Sequence, residues 1–359
     1  MWDAPLPRTE CARSTPTVTL DSTTRITAAR RRRLLGLGVV LALLVVAVAA
    51  SVAIGAQPLG LGQIRHALLD PTGSDADRIV RELRVPRTGL ALIVGIALGV
   101  VGALIQAHTR NPLADAGLLG LNAGAAFLVV LAIHLFGLTA SSQYLWFAFA
   151  GSFLASIVVF GTSSIGNGKA SPLSLALAGA AVTFFLQAMT NAVVLSNTIA
   201  LDTFRFWIVG STAGRGLDVF WQVLPFLVVG VVIALATTPS LNTLSLGEDV
   251  ARSLGTNVAL SRGIGILAIT LLAGGATAAC GPIVFVGLVV PHIARAITGP
   301  DYRWLVPYAG LIGGLLLLIA DVIGRVVVRP SELQVGIVLA IVGAPFFIAI
   351  VRRRKLVSL

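Results

Sequence analysis

The stretch LRVPRTGLALIVGIALGVVGALIQAHTRNPLADAGLLGLNAGA, residues 83–125, decides the fold class. Its segment 88–107 has no charged side chain and matches the roughly 20 apolar residues that carry a helix across a bilayer. Arg84 and Arg87 bound the segment on one side and Arg110 on the other, so it reads as a hydrophobic rod with charged ends. Gly95, Gly99 and Ala103 recur at every fourth position, which gives the rod one face smooth enough for a second helix backbone to approach. Lipid supplies no hydrophobic drive for helix association, so close packing of this kind has to supply it.

The pattern repeats along the chain. Charge-poor runs at 34–56, 88–107, 117–138, 144–162 and 172–195 are followed by others at 220–236, 263–280, 282–297, 304–323 and 335–351. This predicts an all-α, polytopic membrane protein with about ten transmembrane helices. Composition agrees: of 359 residues 56% are hydrophobic and only 11% charged, against roughly 25% charged in a soluble domain. Residues 1–33 read as a polar, basic tail and 34–355 as the transmembrane domain. No small-residue cleavage site follows closely on the first apolar run, so a cleaved signal peptide is not expected. Cys11 and Cys280 suggest neither a disulfide nor a metal site, and no cofactor is expected.

Basic residues orient the spans. Arg30 to Arg33 precede the first run, and Arg352, Arg353, Arg354 and Lys355 follow the last, which places both termini in the cytoplasm. That leaves Arg65, Arg78, Arg81, Arg84, Arg87, Arg205, Arg215, Arg325 and Arg329 outside. Topology alone gives no reason for arginines there. They either anchor the chain at the interface of its lipid partner or receive acidic groups of a second protein. Basic residues so scattered form no face for nucleic acid.

The spans lack the ionisable side chains that a proton-coupled or sodium-coupled carrier keeps at mid-membrane. Asp321 and His134 fall near outer span ends, and the deeper polar residues, such as Gln106, Gln187 and Asn191, are neutral. No nucleophile and base occur together as an intramembrane enzyme would require. Energy is therefore expected from another subunit. The cytoplasmic segment 243–257, TLSLGEDVARSLGTN, has the shape of a coupling element. Gly247 opens a short helix, Glu248 and Asp249 suit its positive N-terminal dipole, and Gly255 ends it. Leu246, Val250, Ala251 and Leu254 are expected to share one face, which either seats in a groove on a soluble partner or lies on the lipid interface.

Residues 83–125, the coupling segment, GPIVFVGLVVPHIAR at 281–295 and ELQVGIVLAIVGAPFFI at 332–348 together resemble the permeases of bacterial ABC importers for iron-siderophores, haem and cobalamin, the FecCD-like permeases of type II importers. The resemblance spans roughly residues 34–355. It implies a ten-span permease working as a homodimer or heterodimer with a second permease subunit. It also implies a cytoplasmic ATP-binding subunit on each permease and an extracytoplasmic substrate-binding protein. In this family, arginines of an RxPRT motif and one before the last span receive glutamates of the binding protein. Here they match Arg84, Arg87 and Arg325, while the coupling contact maps onto Leu246, Gly247, Glu248, Ala251, Leu254 and Gly255. The family's cytoplasmic gate falls, by position only, at Ala170, Ser171 and Pro172. His292 and Arg295 are read as structural, with His292 capping or bonding loop backbone.

The expectation is thus a non-enzymatic permease subunit, with ATP hydrolysis in a separate chain; no GxxxxGK[ST] phosphate loop is present. Ferric siderophores are the expected cargo, with cobalamin or haem import as the alternative and an ion-coupled secondary transporter as the weaker one.

Overall fold

The computed structural model describes the backbone of residues 21–163 and 172–352, all of whose regular structure is helical. In chain order the α-helices are α1 (Asp21–Ala53), α2 (Leu61–Leu69), α3 (Asp75–Arg78), α4 (Val85–Thr109), α5 (Leu121–Phe136), α6 (Ser141–Ser163), α7 (Pro172–Ser196) and α8 (Thr198–Trp207). They continue with α9 (Leu217–Ala236), α10 (Thr238–Ser245), α11 (Glu248–Ser253), α12 (Val258–Cys280), α13 (Val286–Thr298), α14 (Tyr302–Val327) and α15 (Val335–Arg352). Seven helices among the described residues are long and apolar enough to cross a membrane, and α5, α13 and α15 are shorter apolar helices. These coincide in order with the expected runs.

Several boundaries differ. The helix of the first span begins at Asp21, inside the segment 1–33 expected to be a tail, and that of the seventh at Val258, five residues before the expected start. The second span begins well before Thr88, because α3 passes through a π-helical turn, Ile79–Arg84, straight into α4. The eighth begins later, at Val286. Residues 281–285 are apolar but not helical: Pro282 lacks the N–H a helix would use, and Gly281 and Phe285 adopt positive φ of 75° and 70°. Hydropathy reports burial and is blind to this change of backbone.

α4 is the centre of the bundle, packed by α14, α13, α12 and α9, while α5, α6 and α7 form a second group beside it. The α4–α14 seam is backbone against backbone. A β-carbon at Gly95 would lie 2.5 Å from the Gly313 carbonyl oxygen, and one at Gly99 would overlap the Ala309 carbonyl. Gly102 meets the Gly287 carbonyl of α13 in the same way. Pro291 leaves that carbonyl without its helical N–H, and the Gln106 amide of α4 donates to it at 3.4 Å. His292 Nδ1 bonds the Leu288 carbonyl at 2.9 Å, so its backbone partner lies within its own helix and not in a loop as expected.

α1 lies outside against α14, with Leu34, Leu35, Val39, Leu43, Val45 and Val46 exposed. It starts at the end of the bundle where Arg33 pairs with Asp301 at 3.7 Å and stops beside Arg325 at the other. α15 starts at that other end, where the Gly336 N–H donates to the Gly210 carbonyl, and runs back. The described chain therefore enters and leaves at one end, here called the basic end.

Candidate functional site

At the end opposite the basic one, four arginines converge. The π-helical turn rotates Arg84 toward the C-terminus of α1, where its guanidinium donates to the carbonyls of Val52 (3.0 Å), Ala53 (2.7 Å) and Gln57 (2.5 Å). Arg325 donates to the carbonyls of Ser51 (2.7 Å) and Ile54 (3.2 Å), and Arg329 to that of Gly55 (2.8 Å). The last carbonyls of a helix have no intrahelical partner and form the negative end of its dipole, so Arg84 and Arg325 complete α1, while Arg329 holds the chain just beyond it. Gly55 leaves room for this guanidinium: a β-carbon would sit 2.7 Å from an Arg84 nitrogen and force it to shift.

Arg87 and Arg325 share one carboxylate. Asp321, fully buried on α14, accepts from Arg87 Nε (2.9 Å) and NH2 (2.9 Å), from Arg325 Nε (2.9 Å) and NH2, and from the Thr212 hydroxyl (2.6 Å). Arg87 NH1 reaches a second carboxylate, Glu332, at 2.5 Å. Arg325 also donates to the Ser51 hydroxyl (2.8 Å), which is bonded to Thr88 (2.7 Å). Above this network open two clefts of about 460 and 500 Å³. Arg87, Arg215 and Glu332 line both, and Arg84, Arg325 and Glu82 line the first.

Arg84, Arg87 and Arg325 do come together, but not as exposed rim charges. All three are buried, and Arg325 is only 1% exposed. Their physical reason is local: each satisfies carbonyls or carboxylates of the chain itself. Sequence reading missed Asp321, Glu332 and Thr212 as members of this cluster. The Asp321–Arg325 pair was detectable, since residues four apart share a helix face; Glu332 and Thr212 come from separate loops.

At the basic end, Gly247 stands before α11 at φ 115°, a conformation that favours glycine. α11 ends in a Schellman turn, with the Thr256 N–H on the Ala251 carbonyl (2.9 Å), the Gly255 N–H on that of Arg252 (2.9 Å), and Gly255 at φ 81°. The Asn257 side chain then caps α12 through the Leu260 N–H at 3.1 Å. Leu246, Val250 and Leu254 are exposed, whereas Ala251 is fully buried against Leu244 and Val258. The expected shared face is corrected on this point: Ala251 packs on the permease, and the outward face is Leu246, Val250 and Leu254. Glu248 also points inward, bonding Arg262 of α12 at 2.5 Å and Arg252 at 3.3 Å. Glu248→Gln should weaken the anchoring of α11 on α12, raising amide exchange in 248–253 several-fold with little change in global Tm. Unchanged exchange there would show that the ion pair does not hold the helix. Of the expected gate, Ala170 and Ser171 lie outside the described residues; Pro172 opens α7.

A family model described as the FecCD transport family matches residues 43–353. The chain is 47% identical over 315 residues to the ferric enterobactin transport system permease protein FepD of Escherichia coli (strain K12), covering 88% of this chain and 94% of that one. It is 35% identical to the hemin transport system permease protein HmuU of Yersinia pestis, covering 89% and 96%. It is also similar to a solved metal-chelate type ABC transporter in an inward-facing conformation, with a TM-score of 0.76, 27% identity and coverage of 88% and 97%.

Proposed function

Because the chain belongs to the FecCD transport family, the ABC-importer permeases of the bacterial inner membrane, we propose that it imports a ferric siderophore. Identity of 47% to a ferric enterobactin permease over nearly the whole of both chains is the observation that carries this reading. ATP hydrolysis belongs, on this proposal, to a separate cytoplasmic subunit seated on Leu246, Val250 and Leu254. Three exposed aliphatic side chains beside a rigid, capped turn suit a groove on a soluble protein. The proposed orientation puts the basic end in the cytoplasm and the arginine cluster outside. There Arg84, Arg87 and Arg325 take part in docking an acidic binding protein.

A second permease subunit is proposed to pack along α7. This helix exposes Phe184, Phe185 and Leu195 together with the polar Gln187 and Asn191. Exposed amides are costly against lipid tails, whereas the exposed face of α1 is aliphatic. Residues that are both apolar and neutral-polar suit a subunit seam and the wall of a translocation path.

The test is uptake into proteoliposomes holding the permease, its ATPase and its binding protein, with a ferric tris-catecholate complex and haem as competing cargoes. ATP-dependent accumulation of the iron chelate is expected; preferential haem uptake would overturn the cargo, and ATP-independent uptake the mechanism. Val250→Glu should leave the permease in the membrane but cut co-purification of the ATPase at least tenfold, as burying an unpaired charge costs several kcal/mol. Retention at the wild-type yield would remove this face from the interface.

A further inference from the structure

We infer that Glu332 occupies, within the chain itself, the place that an incoming acidic side chain takes on Arg87, and that Arg215 is the second cation which receives that side chain. The inference rests on the docking reading above and adds two residues to it.

The two carboxylates on Arg87 are unlike. Asp321 is fully buried, sits in mid-helix and answers two arginines and a threonine. Releasing it would strand buried charge, so it is a permanent partner. Glu332 sits in the loop between α14 and α15, is nearly one third exposed, and bonds Arg87 through a single nitrogen. Exchanging it for another carboxylate leaves Arg87 as well paired as before and returns Glu332 to water. Such an exchange costs little, whereas adding a third carboxylate beside both would bring like charges together.

Arg215 supplies the attraction. It lines both clefts beside Arg87, its NH1 donates to the Tyr144 hydroxyl at 3.3 Å, and its buried Nε has no partner. No carboxylate lies within ion-pair distance of it among the described residues. A carboxylate entering the cleft therefore meets one guanidinium that lacks an anion and one whose anion is exchangeable. The loop that Glu332 would release is tied to its surroundings: the Leu333 N–H donates to the Gly324 carbonyl, and Gly336 to that of Gly210 in the loop that carries Arg215. Docking thus acts on the start of α15.

The experiment measures association of the purified substrate-binding protein of the same importer with the permease–ATPase complex in nanodiscs, by biolayer interferometry at two salt concentrations. Glu332→Gln is expected to tighten binding several-fold, with Glu332→Asp intermediate. Arg215→Gln should weaken it several-fold, and Arg215→Lys should restore most of it. Arg87→Gln is the control for the reading beneath. If Arg87→Gln and Arg215→Gln both weaken binding while Glu332→Gln and Glu332→Asp leave it unchanged or weaker, the exchange is overturned and docking stands. Full affinity in Arg215→Gln removes Arg215 from the site. If Arg87→Gln also binds normally, the docking reading itself fails, and this inference with it.

Discussion

Gly99→Leu should abolish recovery of folded permease from the membrane, the largest effect expected of any single change in the bundle. The side chain would have to enter the space held by the Ala309 carbonyl, and Gly313 lies beside it. Overpacking against side chains typically costs about 1–3 kcal/mol because rotamers can yield. Here the neighbour is helix backbone, so α4 and α14 must separate along the whole seam. Lipid offers little to offset the lost contacts, since it solvates the separated helices as well as it does the pair. Gly38→Leu is the matched control: it lies on the exposed face of α1 with nothing within 4 Å of a β-carbon. Membrane-fraction yield and monodispersity in detergent are the readouts. Wild-type recovery of Gly99→Leu would mean that the seam is not closed at this point.

Asp321→Ala ranks second. It removes the one carboxylate shared by two buried guanidiniums and orphans the Thr212 hydroxyl. Breaking a buried pair by deleting one partner costs about 3–5 kcal/mol. For a chain of this size that corresponds to a fall in Tm of about 10 °C. Asp321→Asn keeps an acceptor and should fall between the variant and wild type. The loss should exceed that of Glu332→Ala, whose single contact with Arg87 is partly solvated. Equal losses at the two positions would contradict the division into a permanent and an exchangeable carboxylate.

The apolar runs of about 20 residues, the small residues at every fourth position and the glycines flanking 248–253 could all be read from residue order. Each depends on one helix at a time. Apolar length meets a bilayer of known thickness, a missing side chain permits close approach, and a positive φ calls for glycine. Ten helical runs and the glycine-bounded helix at 248–253 followed from those rules, whereas Arg84, Arg87 and Arg325 were singled out among nine outside arginines only by the family resemblance.

What the arginines do was decided by tertiary contacts. Whether a guanidinium at a span end faces water or a neighbouring helix depends on what lies across from it. Here Ser51 comes from α1, far along the chain from Asp321 and Glu332, which lie on α14 and in the loop after it. The same holds for Ala251: helical periodicity put it on a face with Val250 and Leu254, but in a six-residue helix it is the one buried residue while Val250 is exposed. Only the packing of Leu244 and Val258 against it settled which side faces inward. Local rules act through backbone geometry and solvent, which every residue carries with it, whereas pairing of buried charge requires the folded positions of all its partners at once.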